Sequence, residues 1–169
     1  MRSGRTAWCS SAVLVFLLGC VFIQSAPAQV SEGHDASSDV AVIVHRDNPI
    51  NNLSLSELRR IYMGERQYWR PDLPVAVLIR TPGSREREVV LREIFKMNEA
   101  QYKQFWVAKI MRAESTSSPV EIFSNGMTKE GVASLAGGIG CVSASDVRSG
   151  VKVLRINGHL PGEAAYPLR

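Results

Sequence analysis

The chain has 169 residues, with 20 basic and 16 acidic side chains, a net charge of +4 and 45% hydrophobic residues. That is the length of one domain with enough apolar side chains for its own core. The weak charge, with no concentrated basic stripe, excludes a nucleic-acid partner. Three cysteines and three histidines, none at ligand spacing, exclude a metal cluster. No nucleotide loop and no acid/base pair is present, so neither a cofactor nor an enzymatic activity is expected.

The N-terminus opens with Arg2 and Arg5 and continues into an apolar stretch over residues 12–18 and 21–23. Ala26-Pro27-Ala28 follows as a small-x-small site. Residues 1–28 therefore read as a cleavable secretory signal peptide, with the mature chain beginning at Gln29. The apolar run is short and interrupted for a membrane span. A rival reading takes Leu17-Leu18-Gly19-Cys20 as a bacterial lipobox. Cys20 would then be lipidated and would anchor the protein to a membrane. Both readings make the protein exported, periplasmic or secreted in the first case and membrane-tethered in the second. Removing residues 1–28 leaves a net charge of +2, which suits a small anionic ligand. Residues 29–38 are small and polar, a flexible leader. The working domain spans residues 39–169.

Residues 40–44 are continuously apolar and β-branched, the mark of a strand buried on both faces. Asp47-Asn48-Pro49 ends it. Ser54 and Glu57 form a capping box at the start of a helix, with Leu53 and Leu58 as its hydrophobic staple. Leu55, Leu58, Ile61 and Tyr62 give that helix one apolar face, and Gly64 stops it. Tyr68 and Trp69 lie in the turn that follows. Trp69 is expected to pack rather than to stack a ligand. Residues 75–79 read as a second buried strand, entering a sharp loop at residues 80–84. Val90, Leu91, Ile94 and Phe95 mark the next helix. The alternating Arg85, Glu86, Arg87 and Glu88 read as its solvated start. Asn98 and Gln101 cap a further helix, with Tyr102, Phe105, Trp106 and Ile110 as its buried stripe. Residues 113–119 form a Ser/Thr-rich loop and residues 120–123 a short strand. Thr128 is expected to cap a short helix ending at Gly137-Gly138. Residues 139–142 read as a strand, residues 145–148 as a helical turn, and residues 151–156 as a last strand. Alternating strands and helices imply an α/β domain, a mostly parallel sheet flanked by helices.

The chemistry concentrates in Arg80-Thr81-Pro82-Gly83-Ser84-Arg85-Glu86. A buried strand ends, a glycine turns the chain, and a serine opens a helix, which aims free N–H groups at one point. Arg80 can present a planar fork of donors to an oxyanion. Ser84 can donate to the anion or cap the helix. The residues alone leave open whether this is a ligand loop or an ordinary capped turn with a salt-bridged arginine. Cys141 has no neighbouring base in the sequence and reads as a buried strand thiol, not a nucleophile.

Residues 40–157 resemble the phosphate ABC-transporter substrate-binding proteins, the PstS-like periplasmic binding proteins. Five stretches carry the resemblance in order: residues 42–49 as a crossing strand and Asn-Pro turn; residues 53–64 with Trp69; Arg80-Thr81-Pro82-Gly83-Ser84 as the ligand loop; Phe105-Trp106; and Gly138-Ile139-Gly140-Cys141-Val142. The resemblance implies one lobe of a periplasmic-binding-protein-like fold. It implies phosphate or a similar oxyanion as ligand, bound by Arg80, Gly83, Ser84 and the residue after them, here Arg85. It also implies a transporter permease, or another envelope protein, as partner. Arg85 and Glu86 stand where the family has Gly and Thr, and Cys141 where it has Tyr. Arg85 adds a Cβ and Glu86 a negative charge at the site, so the expected affinity is low. The family's two lobes close over the ligand, whereas this chain matches the second lobe alone. A homodimer or other covering chain is expected. The alternative is a ligand-free docking domain of the cell envelope.

Overall fold

The computed structural model describes residues 38–169. The expected signal peptide, the Cys20 lipobox and nearly all of the leader lie outside the described residues.

The central strand β1 (Val40–His45) explains its own composition. Val40, Val42 and Val44 point to one core cluster, while Ala41 and Ile43 point to the other. A strand covered on both faces needs apolar residues at every position. β2 (Asn52–Leu53) leads to α1 (Leu55–Tyr62), whose capping box forms as expected: Glu57 N donates to Ser54 Oγ at 3.1 Å, and Ser54 N donates to Glu57 Oε2 at 2.8 Å. Leu53 and Leu58 are both buried. Gly64 follows the helix with φ of +71°, a left-handed turn that glycine adopts without strain.

The hairpin β3 (Tyr68–Arg70) and β4 (Leu73–Pro74) buries Trp69, whose indole N–H donates to Gly137 O at 2.9 Å. Trp69 is thus a packing residue. β5 (Ala76–Arg80) then enters the main sheet. α2 (Arg85–Val89) passes directly into a π-helical segment, Val90–Phe95, before α3 (Glu99–Met111). Asn98 and Gln101 form the expected second capping box. β6 (Val120–Ile122), α4 (Asn125–Ser134), β7 (Gly138–Ser143), a 3-10 turn at Ala144–Asp146, β8 (Val151–Val153) and β9 (Arg155–Ile156) complete the domain.

The main sheet has the order β6-β5-β7-β1-β8. β5 runs parallel to β6 and to β7, and β1 runs antiparallel to β7 and β8. Four strands therefore point one way and β1 alone points the other, an α/β sheet that is mostly parallel. α1, the π-helical segment and α3 cover one face, and α4 covers the other. α4 lies close because β7 carries Gly140: a Cβ there would meet Thr128 Cγ2 at 2.7 Å and Val132 Cγ2 at 3.3 Å. The end of the chain returns to β1. Val40 N donates to Leu168 O at 2.9 Å, and Tyr166 OH donates to Val40 O at 2.8 Å.

Four expectations need correction. The buried stripe of α3 continues from Tyr102 and Trp106 to Lys109, and Ile110 is exposed. Lys109 can occupy that place because its ammonium donates to Met63 O at 2.7 Å and lies over the Phe105 and Trp106 rings. Ser124, not Thr128, caps α4, accepting from Met127 N at 3.1 Å. Thr128 is fully buried and donates its hydroxyl back to Ser124 O. The last strand is two: at Leu154 the chain leaves β1, and β9 pairs in parallel with β2. The start of α2 is not solvated, since Glu86 and Arg87 are buried.

Candidate functional site

Arg80, Gly83 and Ser84 come together where β5 ends. The turn carries Pro82 and Gly83 at its centre, and Ser84 N donates to Thr81 O at 3.3 Å. Gly83 has φ of +83°, which a Pro-Gly turn of type II requires at its second central residue. Nothing would obstruct a Cβ there, so the glycine serves backbone conformation. The Ser84 hydroxyl is spent within the turn: it donates to Thr81 O at 2.9 Å and accepts from Arg87 N at 3.4 Å. The amides of Arg85 and Glu86, next in line, have no acceptor among the described residues.

The Arg80 side chain is almost buried. Its Nη1 donates to Ile122 O at 2.9 Å, tying the end of β5 to the end of β6. Its Nε is buried without a hydrogen-bond acceptor and faces Glu86 Oε2 at 3.7 Å. Glu86 is equally shielded, with 11% of its side chain accessible against 12% for Arg80. The other Glu86 oxygen accepts from Asn125 Nδ2 at 2.8 Å. Asn125 Nδ2 also donates to Asp146 Oδ2 at 2.8 Å, and Lys129 Nζ donates to Asp146 O at 2.7 Å. Asn125 Oδ1 is buried with no partner. The carboxylate of Glu86 is thus the negative group that faces Arg80. With Asp146 and Lys129 the cluster carries two positive and two negative charges. Arg85 stands apart: it is exposed and its Nη2 donates to Ser38 O.

Sequence reasoning missed Asn125, Asp146 and Lys129, which reach the site from α4 and the turn after β7. Their positions follow from strand order, and no local spacing signals them. It also missed Arg87, which braces the turn from beneath. Arg87 is 1% exposed and donates twice to Glu99, at 2.9 and 2.7 Å, to Glu121 Oε1 at 3.1 Å and to Arg80 O at 2.9 Å. It also lies 4.7 Å over the Tyr102 ring. Burial opposes its charge, but the bonds to Glu99 outweigh that and raise its pKa. Glu99 in turn is held below the usual carboxylate range, chiefly by its hydrogen bonds from Arg87.

Cys141 lies on β7 against the Tyr62 hydroxyl at 3.1 Å. Burial pushes its thiol up to about 12, which leaves it an inert core residue. Among the described residues, no group of acidic, histidine or cysteine side chains could hold a metal.

A family model described as a PBP superfamily domain matches residues 34–159. Three solved structures share the fold. One from Clostridium perfringens, described as a phosphate ABC transporter substrate-binding protein with bound phosphate, aligns with a TM-score of 0.59 and 24% identity. An ABC-type phosphate transport receptor from Vibrio cholerae gives 0.58 and 22%. PstS from Borrelia burgdorferi gives 0.58 and 19%. Each alignment covers 73% of this chain and 46%, 48% and 49% of the respective neighbour. The chain therefore spans just under half the length of these structures.

Proposed function

The chain belongs to the PBP superfamily domain family, and from that premise we propose that it is an exported solute-binding module that takes phosphate or a similar oxyanion weakly. The site is the Arg80 turn, with Gly83, Ser84 and Arg85. The observation that carries this reading is the nearly buried Arg80 guanidinium, whose Nε has no hydrogen-bond acceptor and faces the Glu86 carboxylate at 3.7 Å. An incoming oxyanion takes that place when Glu86 swings aside, and meets the Arg80 guanidinium and the free amides of Arg85 and Glu86. Weak binding follows, because Glu86 competes from within and the Ser84 hydroxyl is committed to Thr81 O. The role we propose is binding, in keeping with the description of a structural neighbour as a substrate-binding protein. The phosphate ABC-transport descriptions of the structural neighbours support phosphate as ligand, and a transporter permease is the partner we propose on that basis.

A second reading, a ligand-free docking domain of the cell envelope, draws on the same pairing. Arg80 already has a carboxylate opposite it, so the lobe can stand without a solute. Phosphate titration by calorimetry decides between them. Wild type should show weak saturable binding, and Arg80→Ala should lose it, as removal of one charge-assisted pair weakens binding roughly ten- to a hundredfold. Glu86→Thr, which removes the internal competitor, should bind more tightly than wild type. No saturable response in wild type and in Glu86→Thr at millimolar phosphate, or unchanged binding in Arg80→Ala, establishes the docking reading instead.

A further inference from the structure

The domain has a cavity of about 490 Å³ at the opposite end of β5 from the Arg80 turn. Residues 75–77 line it where β5 begins, and Arg80 ends the same strand. Three residue steps along the strand, from Val77 to Arg80, separate the two places by about 10 Å. The volume lies in the range of small-molecule sites, roughly 300–1,000 Å³. The loop of residues 113–119 forms the outer wall.

The lining has a definite chemistry. Tyr68 and Trp106 supply aromatic surface, and Tyr68 is 53% exposed although it stands in a hairpin whose next residue, Trp69, is buried. Arg66 supplies the cation. Its Nε donates to Tyr68 O at 3.3 Å and its guanidinium lies 5.7 Å over the Trp69 ring, which fixes its plane. Its two Nη groups have no acceptor among the described residues. Glu65, its chain neighbour, faces Arg60 instead at 3.9 Å. Glu114, the acid on the wall, is bound to Arg112 at 2.5 Å. The hydroxyls of Thr116 and Ser118 make no hydrogen bond within the described residues. The cavity therefore combines aromatic surface, an oriented guanidinium whose Nη groups make no hydrogen bond among the described residues although its charge also acts on Glu57, and spare hydroxyls.

We propose that this cavity is a second binding site, for a small organic anion with a flat ring and one carboxylate. The ring stacks against Tyr68 and Trp106, as aromatic pairs do in offset or edge-on geometry. The carboxylate takes the planar fork of Arg66, a bidentate match that an ammonium would not provide. A neutral ring loses that pair, and a bare inorganic anion loses the stacking. The site stands independently of the Arg80 turn and of the oxyanion reading.

The test is an amide NMR titration of the full chain, with benzoate as probe. Benzamide serves as its neutral counterpart and inorganic phosphate as the ring-free anion. Benzoate should give saturable shifts at Gly64, at residues 66–68 and at residues 115–118. Benzamide should bind roughly tenfold more weakly, the worth of one charge-assisted pair. Arg66→Gln and Tyr68→Ala, both at partly or well exposed positions, should each weaken benzoate while the rest of the spectrum stays folded. Arg80→Gln should leave benzoate unchanged. The proposal is overturned if benzoate shifts do not saturate, if they fall around residues 80–86, or if Arg66→Gln binds benzoate as wild type does. Phosphate shifts around residues 80–86 report separately on the oxyanion site, so either reading can fail without the other.

Discussion

At the scale of single residues, two arginines seven apart have opposite fates. Arg80 draws attention in the sequence by its place before a Gly-Ser turn, and in the fold it ends β5 facing Glu86. Arg87 looked like one member of a solvated charge run, yet it is the more deeply buried. Its partners explain the difference: Glu99 and Glu121 come from α3 and β6, too far along the chain for a local pattern to announce them. Removing Arg87 leaves two carboxylates without their counter-charge, but Glu99 and Glu121 keep 34% and 48% of their side chains accessible, so Arg87→Met should cost about 1–2 kcal/mol of stability. The pH dependence fixes the cause. Arg87 lowers the folded-state pKa of Glu99, so this contribution is complete above the ordinary carboxylate pKa of about 4.3 and is lost as pH falls through the lower folded value. Urea unfolding of wild type and Arg87→Met should show a gap near neutrality that narrows on acidification. A gap that stays constant into the acid range would mean that packing, and not the ion pair, is what Arg87 provides.

At the scale of elements, the helix starts were the most legible features. Ser54 with Glu57, and Asn98 with Gln101, are patterns whose hydrogen bonds close within four residues, and both form. Ser54→Ala should therefore cost about 1 kcal/mol, read as a lower denaturation midpoint at an unchanged m-value; an unchanged midpoint would deny the cap its role. Features that depend on distant packing were illegible. Nothing in the composition of residues 90–95 distinguishes a π-helical turn from an α-helical one. Lys109 takes the core position that Ile110 was expected to hold because Met63 O and two aromatic rings accept it. Thr128 resembles a cap in sequence, but Gly140 brings β7 so close that Thr128 is buried against it. In each case tertiary contact overrode a correct local rule.

At the scale of the whole molecule, the alternation of strands and helices sufficed to read the α/β class, and the ordered motifs sufficed to read the family. Strand direction was the part left over: a continuous apolar run states that β1 is central, and says nothing of which way it points. The site was legible as a turn but not as a cluster, since Asn125, Asp146 and Lys129 join it only through the sheet order. The chain matches under half of its structural neighbours, and the end of the sheet that carries Arg80 shows apolar side chains. Phe123, directly after β6, is 75% exposed, and Met127 in the first turn of α4 is exposed nearby. A covering chain, most simply a second copy, would bury them. Sedimentation at micromolar concentration should give a dimer for wild type and a monomer for Phe123→Ser; a monomeric wild type would remove the self-association reading.

The placement of β1 also governs when this protein can fold. The first strand of the domain lies inside the sheet between β7 and β8, with Val40 opposite Ser143 and Ile43 opposite Val153, and with Leu168 closing over its start. Its neighbours thus come from about a hundred residues further along the chain, and without them β1 has no partner on either side. Such long-range pairing slows folding, because the entropy of closing large loops must be met before the contacts form. Refolding of this domain should accordingly be slow, with β1 among the last elements to gain protection. If the protein is exported as we propose, that delay would favour passage through a membrane channel before β1 meets its partners.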